Sequence, residues 1–128
     1  MQYTKEMQIG KRFKPKRRER TRVKKEDYQK MIEYWGSQCI YCGSPRIEAH
    51  HVKFRSAMGG SRWRNLLPLC KTHHMKVHQD NTIRRSLELK LEHEFGSDFW
   101  KDEWHLYDEG KIDHPTVGEY ERYFGGYK

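Results

Sequence analysis

Four histidines and one asparagine fall at spacings that suit metal-assisted hydrolysis. His50 and His51 are adjacent, Asn65 follows fourteen positions after His51, and His74 and His78 lie four apart. Two knuckles, Cys39-x-x-Cys42 and Cys70-x-x-His73, interleave with them. Their three thiols and one imidazole suit zinc, which takes four such ligands in a tetrahedron. A two-residue spacer lets one tight turn present both members of a pair. Such a site contributes folding free energy outright, of order 10 kcal/mol. Two other arrangements stay open at this point: a three-ligand site with His73 merely exposed, or a site completed by His74. On a helix, His74 and His78 share one face and can share a cation. His50 adds a third ligand from a strand, leaving positions open for water and a phosphate oxygen. His51 then remains as the base, because a neutral imidazole can take a proton from an attacking water. Asn65, uncharged and a poor base, is expected to tie its loop together and hold the geometry of His51. A structural metal beside a catalytic one points to phosphodiester cleavage.

These side chains need a strand, a loop, a second strand and a helix to bring them together. Residues 47–52 read as the first strand, 55–63 as a loop containing Gly59-Gly60, and Leu66 to Leu69 as a short second strand. Pro68, which has no N–H, suggests an edge position for that strand. A strict strand would send His50 and His51 to opposite faces, so the strand is expected to bend or end there. Thr72 is the expected cap of a helix running to about His78. Upstream, Tyr28, Ile32 and Trp35 keep helical spacing over residues 25–35, with Gly36 as the stop. Downstream, Asn81 is the expected cap of a helix carrying Ile83, Leu87, Leu91 and Phe95, closed by Gly96. An aromatic-rich segment holds Phe99, Trp100, Trp104, Leu106 and Tyr107. A last helix starts near Thr116, where Thr116-x-x-Glu119 reads as a capping box and Tyr120, Tyr123 and Phe124 as the buried face.

With 34% hydrophobic and 34% charged residues in 128, the chain can bury only a small core, and small cores often need a metal staple. Three cysteines cannot all pair, which favours metal ligation in a reducing compartment over disulfides. No apolar stretch reaches the length of a membrane span and no apolar leader follows the first residues, so a soluble, cytoplasmic protein is expected. The net charge of +8 is uneven: residues 1–78 hold 19 Lys and Arg against 6 Asp and Glu, whereas residues 79–128 hold 7 against 12. Positive charge therefore sits with the metal motifs, and a nucleic acid is the natural partner. Lys11, Arg12, Lys14, Lys16, Arg17, Arg18, Arg20 and Arg22 make residues 1–24 a basic arm with too few apolar groups to fold alone. The expected organisation is that flexible arm, a core over 25–80, and a helical extension over 81–128 packing on the core.

The stretches "CIYCG", "EAHHV", "RNLLPLC" and "KTHHMKVH" resemble the HNH endonuclease family. The resemblance implies an α+β fold, the small ββα-metal or His-Me finger, stapled by a zinc knuckle pair and flanked by helices. It implies His51 as general base, with His51, Asn65 and His74 as the name-giving catalytic residues. His50 and His74 would ligate a catalytic divalent cation (Mg²⁺, Mn²⁺, Ni²⁺ or Zn²⁺), and His78 matches an extra helix histidine of the colicin-type branch. Members with paired knuckles carry a structural Zn²⁺; here Cys39, Cys42 and Cys70 match, while His73 stands where a cysteine is usual. The activity implied is hydrolysis of DNA to 5′-phosphate and 3′-hydroxyl ends. Arg55 is the first candidate for phosphate contact, with Lys53, Arg62, Arg64 and Lys76 behind it. Size and the basic arm also look like bacteriophage-encoded HNH proteins, for which packaging or recombination proteins would be partners and the host cytoplasm the setting. The competing expectation is a zinc-stapled module that holds nucleic acid without cutting it. An RNA-cleaving enzyme would share the same phosphate chemistry.

Overall fold

The computed structural model describes residues 14–125. Lys11 and Arg12 of the expected arm lie outside them. The chain divides into two units: residues 21–100 form one, and the described parts of 1–20 and 101–128 form the other.

Helix α1, the four residues Arg17–Arg20, belongs to the smaller unit. The larger unit opens with α2, Lys25–Trp35. Helix α2 covers the residues its periodicity predicts and stops at Gly36, whose φ of 95° is open to glycine at little cost. Strands β1 (Glu48–His51) and β2 (Leu66–Leu69) pair antiparallel, with His50 opposite Leu67 and His51 opposite Leu66. Pro68 sits opposite Ala49, and its carbonyl accepts from the Ile40 N–H at 3.2 Å, so the first knuckle covers the outer side of β2. Helices α3 (Lys71–Gln79) and α4 (Asn81–Phe95) follow. Val52, Leu67, Leu69, Val77, Leu87, Leu91 and Phe99 form one buried cluster. Each such side chain contributes roughly 1.5–3 kcal/mol on burial. This small core fixes the sheet against α3 and α4.

Two caps differ from expectation. Helix α3 begins at Lys71, so Thr72 lies inside it, and the N-cap is Cys70, whose sulfur accepts from the His73 N–H. Asn81 is the first residue of α4, and Asp80 caps it by accepting from Thr82 and Ile83 N–H groups. A carboxylate is the stronger acceptor at the positive end of a helix. The loop between the strands holds two 3-10 turns, Arg55–Ala57 and Trp63–Asn65. Asn65 locks it. The Val52 N–H donates to the Asn65 carbonyl at 2.8 Å, and the Lys53 N–H donates to Asn65 Oδ1 at 2.8 Å. Its Nδ2 donates to the Lys53 carbonyl at 3.1 Å and the Gly60 carbonyl at 2.7 Å. The side chain thus stands in for the next rungs of the β1–β2 ladder. Asp27 on α2 ties down the loop's far end, accepting from the Trp63 N–H at 3.1 Å and from Arg62 Nη1 at 2.8 Å.

In the other unit, α5 (Glu103–Asp108) and α6 (Val117–Tyr123) bury Leu106 and Tyr120. Tyr123 is exposed and Phe124 only half-buried, so the expected buried face of α6 reduces to Tyr120. Thr116 does cap α6, but Glu119 turns its carboxylate to the N–H groups of Asp113 and His114. The described part of the basic segment is structured: Arg20 reaches Asp102 through Nη2 at 2.9 Å, and Lys14 pairs with Asp108. These cations are engaged by carboxylates. Burial works against the charge on Asp102, but hydrogen bonds from His105 and Arg20 outweigh it and hold the carboxyl well below its usual range.

Gly59 allows the loop to close. A Cβ there would lie 1.8 Å from the Lys53 carbonyl oxygen, a backbone atom that cannot step aside. Gly59→Ala is expected to lower unfolding free energy by about 3 kcal/mol, read from the urea midpoint. An unchanged midpoint would show that the loop is not held this tightly.

Candidate functional site

Helix α3 carries both metal clusters, and Cys70 sets its rotation. As the last residue before the helix and its N-cap, Cys70 anchors the first turn beside the Cys39–Cys42 knuckle. His73 then faces that knuckle. His74, about 100° further round the helix, and His78, one turn on, face β1.

At the first cluster, Cys42 Sγ and Cys70 Sγ are 3.7 Å apart, Cys70 Sγ and His73 Nδ1 3.2 Å, and Cys39 Sγ and His73 Nδ1 3.6 Å. Edges of about 3.8 Å for S···S and about 3.6 Å for S···N follow from zinc bond lengths in a tetrahedron. The sulfurs are too far apart for a disulfide, and all four ligand atoms lie within 4.8 Å of one another. Burial raises the Cys39 pKa, but the backbone amides of Cys70, Cys42 and Tyr41 reverse this and bring the thiol down to about 6. The cluster fits a structural zinc. His73 is therefore the imidazole placed at the knuckles, and His74 is not.

At the second cluster, the ring centroid of His50 is 4.8 Å from that of His74 and 5.7 Å from that of His78, and one nitrogen from each ring falls within 4.8 Å of the others. His50 is 1% exposed, and neither ring nitrogen has a hydrogen-bond partner. A buried imidazole with both nitrogens unsatisfied is costly unless a ligand meets it. Burial, then the neighbouring His74, His78 and His51, push its pKa down to about 3, so the ring keeps its lone pair. Burial and His74 also lower His78, which stacks on Phe54 at 4.5 Å. His74 Nδ1 meets Glu48 Oε1 at 2.7 Å, which leaves Nε2 for a cation. The donor set fits a divalent ion held by three imidazoles. Glu48 was not foreseen, although it lies two residues before His50 on β1 and so shares its face.

His51 lies on the strand's other side yet lines the same cleft as His50, Arg55, His74 and His78, a space of about 470 Å³. Burial and the Arg55 charge lower its pKa to about 4, partly offset by the Thr21 carbonyl. β1 does end at His51, as the adjacent imidazoles require. Of the other cations, Arg55 lines the cleft and Lys76 is exposed on α3. Lys53 lies over the Trp100 ring at 4.7 Å. The expectation of a phosphate contact needs correcting for Arg64, which is 2% exposed, its guanidinium packed 4.3 Å from the Trp63 ring. Arg62 is likewise committed, to Asp27.

Two antiparallel strands and one helix that bring three imidazoles together have the architecture of a ββα-metal finger. The family model described as HNH endonuclease matches residues 39–80, so that stretch is similar to this domain. No curated protein and no solved structure matches the chain. The domain points to a nuclease or nucleic-acid-binding function. No helix among the described residues is long and apolar enough to cross a membrane.

Two measurements check this geometry. The purified chain should hold one zinc that Cys42→Ser loses, and chelation should lower Tm by about 10 °C or more; an unmoved melt would leave the knuckles without a structural metal. Glu48→Ala should weaken divalent-cation binding at the histidine cluster by roughly 10–100-fold, measured by titration of zinc-loaded protein. Equal affinity would mean that Glu48 does not orient His74.

Proposed function

We propose that the chain is a metal-dependent DNA endonuclease. The observation that supports this best is the meeting of His50, His74 and His78 in the cleft that His51 also lines, with both His50 nitrogens buried and unpartnered. Cys39, Cys42, Cys70 and His73 would hold the structural zinc, and His50, His74 and His78 would hold the catalytic cation. When bound, that cation supplies Lewis-acid stabilisation of charge on a phosphate oxygen and on the leaving oxygen.

The chain's own residues do the rest. His51, neutral near pH 7 because burial and Arg55 depress its pKa, takes a proton from a water in the cleft. The water oxygen bonds to phosphorus as the bond to the 3′ oxygen breaks, leaving a 5′-phosphate and, after protonation by solvent, a 3′-hydroxyl. Arg55 binds a phosphate at the cleft wall by charge. Asn65 touches no reacting atom. It is a positioning residue, whose four backbone hydrogen bonds hold the strand end carrying His51. The uneven basic charge of residues 1–78 favours a polyanionic substrate.

Supercoiled plasmid offered to chelator-treated, zinc-restored protein should stay intact until Mg²⁺, Mn²⁺, Ni²⁺ or further Zn²⁺ is added. His51→Ala should then slow cutting by roughly 10²–10⁴-fold, with unchanged fold and DNA affinity. Binding without cutting under every cation would favour a nucleic-acid-binding module. Cleavage of RNA alone would overturn DNA as the substrate.

A further inference from the structure

We infer that Ser61 is a positioning residue that selects which nitrogen of His51 acts as the base. This rests on the nuclease reading for its consequence, though not for its geometry. His51 Nε2 and Ser61 Oγ are 2.7 Å apart, and the Ser61 hydroxyl donates to the Thr21 backbone carbonyl. A hydroxyl has one proton. The carbonyl can only accept, so the Ser61 proton is spent on Thr21. Oγ can therefore only accept from His51, and Nε2 must carry the ring proton. The lone pair is then on Nδ1, which becomes the nitrogen able to receive a proton in the cleft.

Burial makes this choice firm. Ser61 is 4% exposed and Thr21 8%, so water competes poorly for either group. Moving the ring proton to Nδ1 would put an acceptor nitrogen against an acceptor oxygen and leave both unsatisfied. The relay conducts no proton onward, because the Thr21 carbonyl has none to give and cannot keep one. When Nδ1 takes a proton from water, the ring becomes an imidazolium. Its Nε2–H then donates to Ser61 Oγ as a charge-assisted hydrogen bond, which strengthens as the charge appears. Ser61 therefore acts through His51 both by orientation and by stabilising the charged ring. Sequence alone offers no sign of this: Ser61 is an ordinary polar residue in a glycine-containing loop, ten positions from His51 and forty from Thr21.

The test is ¹⁵N NMR of the His51 ring in the zinc-loaded full chain, alongside cleavage kinetics for wild type, Ser61→Ala and Ser61→Thr. Wild type should show the Nε2–H tautomer. Ser61→Ala should show mixed tautomers and a kcat lower by roughly 10–100-fold at unchanged KM, and Ser61→Thr should recover both. Thermal melts of each variant separate this from unfolding. An Nδ1–H tautomer in wild type overturns the inference without any variant. So does an Ala variant that keeps wild-type tautomer and kcat, or an Ala loss that tracks only a lowered melt and is not recovered by threonine. A wild type with the Nε2–H tautomer and no nuclease activity would instead sink the nuclease reading and leave the assignment of Ser61 standing.

Discussion

The rotation of α3 about its own axis is the constraint on which the site depends. Cys70 follows β2, caps the helix and stands in the first metal cluster, so one residue fixes where the helix starts and which way it faces. With that phase set, His73 and His74 are sent to different clusters although they are neighbours in sequence. A helix turned by one residue would offer His74 to the knuckles and carry His78 away from His50. A zinc in that cluster would therefore be more than a staple for a small core. It would set the angle at which the three imidazoles are presented.

The loop between the strands answers to a second lock. Asn65 replaces ladder hydrogen bonds with side-chain ones, Gly59 lets two backbone segments approach closely, and Asp27 holds the Trp63 end. Together they fix the place where β1 stops, and so the place of His51. His51 is then held from behind by Ser61 and lines the cleft that His50, His74 and His78 share. Burial serves chemistry here: it depresses the histidine pKa values, keeps the lone pairs available, and makes each remaining hydrogen bond decisive.

Residues with distinctive chemistry were readable from spacing. The knuckles, the imidazole cluster, helix α2 and the bounds of β2 all followed from ligand spacers, helical periodicity and a proline. Groups whose roles depend on folded neighbours were not. Glu48 and Ser61 act through a hydrogen bond made across the fold, and neither residue type is unusual at its position. Arg64 read as a surface cation because charge is the visible property of arginine, but its flat guanidinium packs between Trp63 and Phe95. Arg62 looked like a phosphate contact until its carboxylate partner, Asp27, appeared. The α3 cap was misplaced by two residues because a cysteine sulfur occupied the role usually read from threonine.

The site stands or falls on whether His50, His74 and His78 close on one cation while the knuckles keep another. Crystals of the zinc-loaded chain grown with Mn²⁺, and measured for anomalous scattering at both metal edges, test this most directly. A manganese peak bonded to the three imidazoles is expected, with a separate zinc peak at Cys39, Cys42, Cys70 and His73. A histidine cluster without metal, or a manganese ion bound elsewhere with His50 still unpartnered, would contradict it.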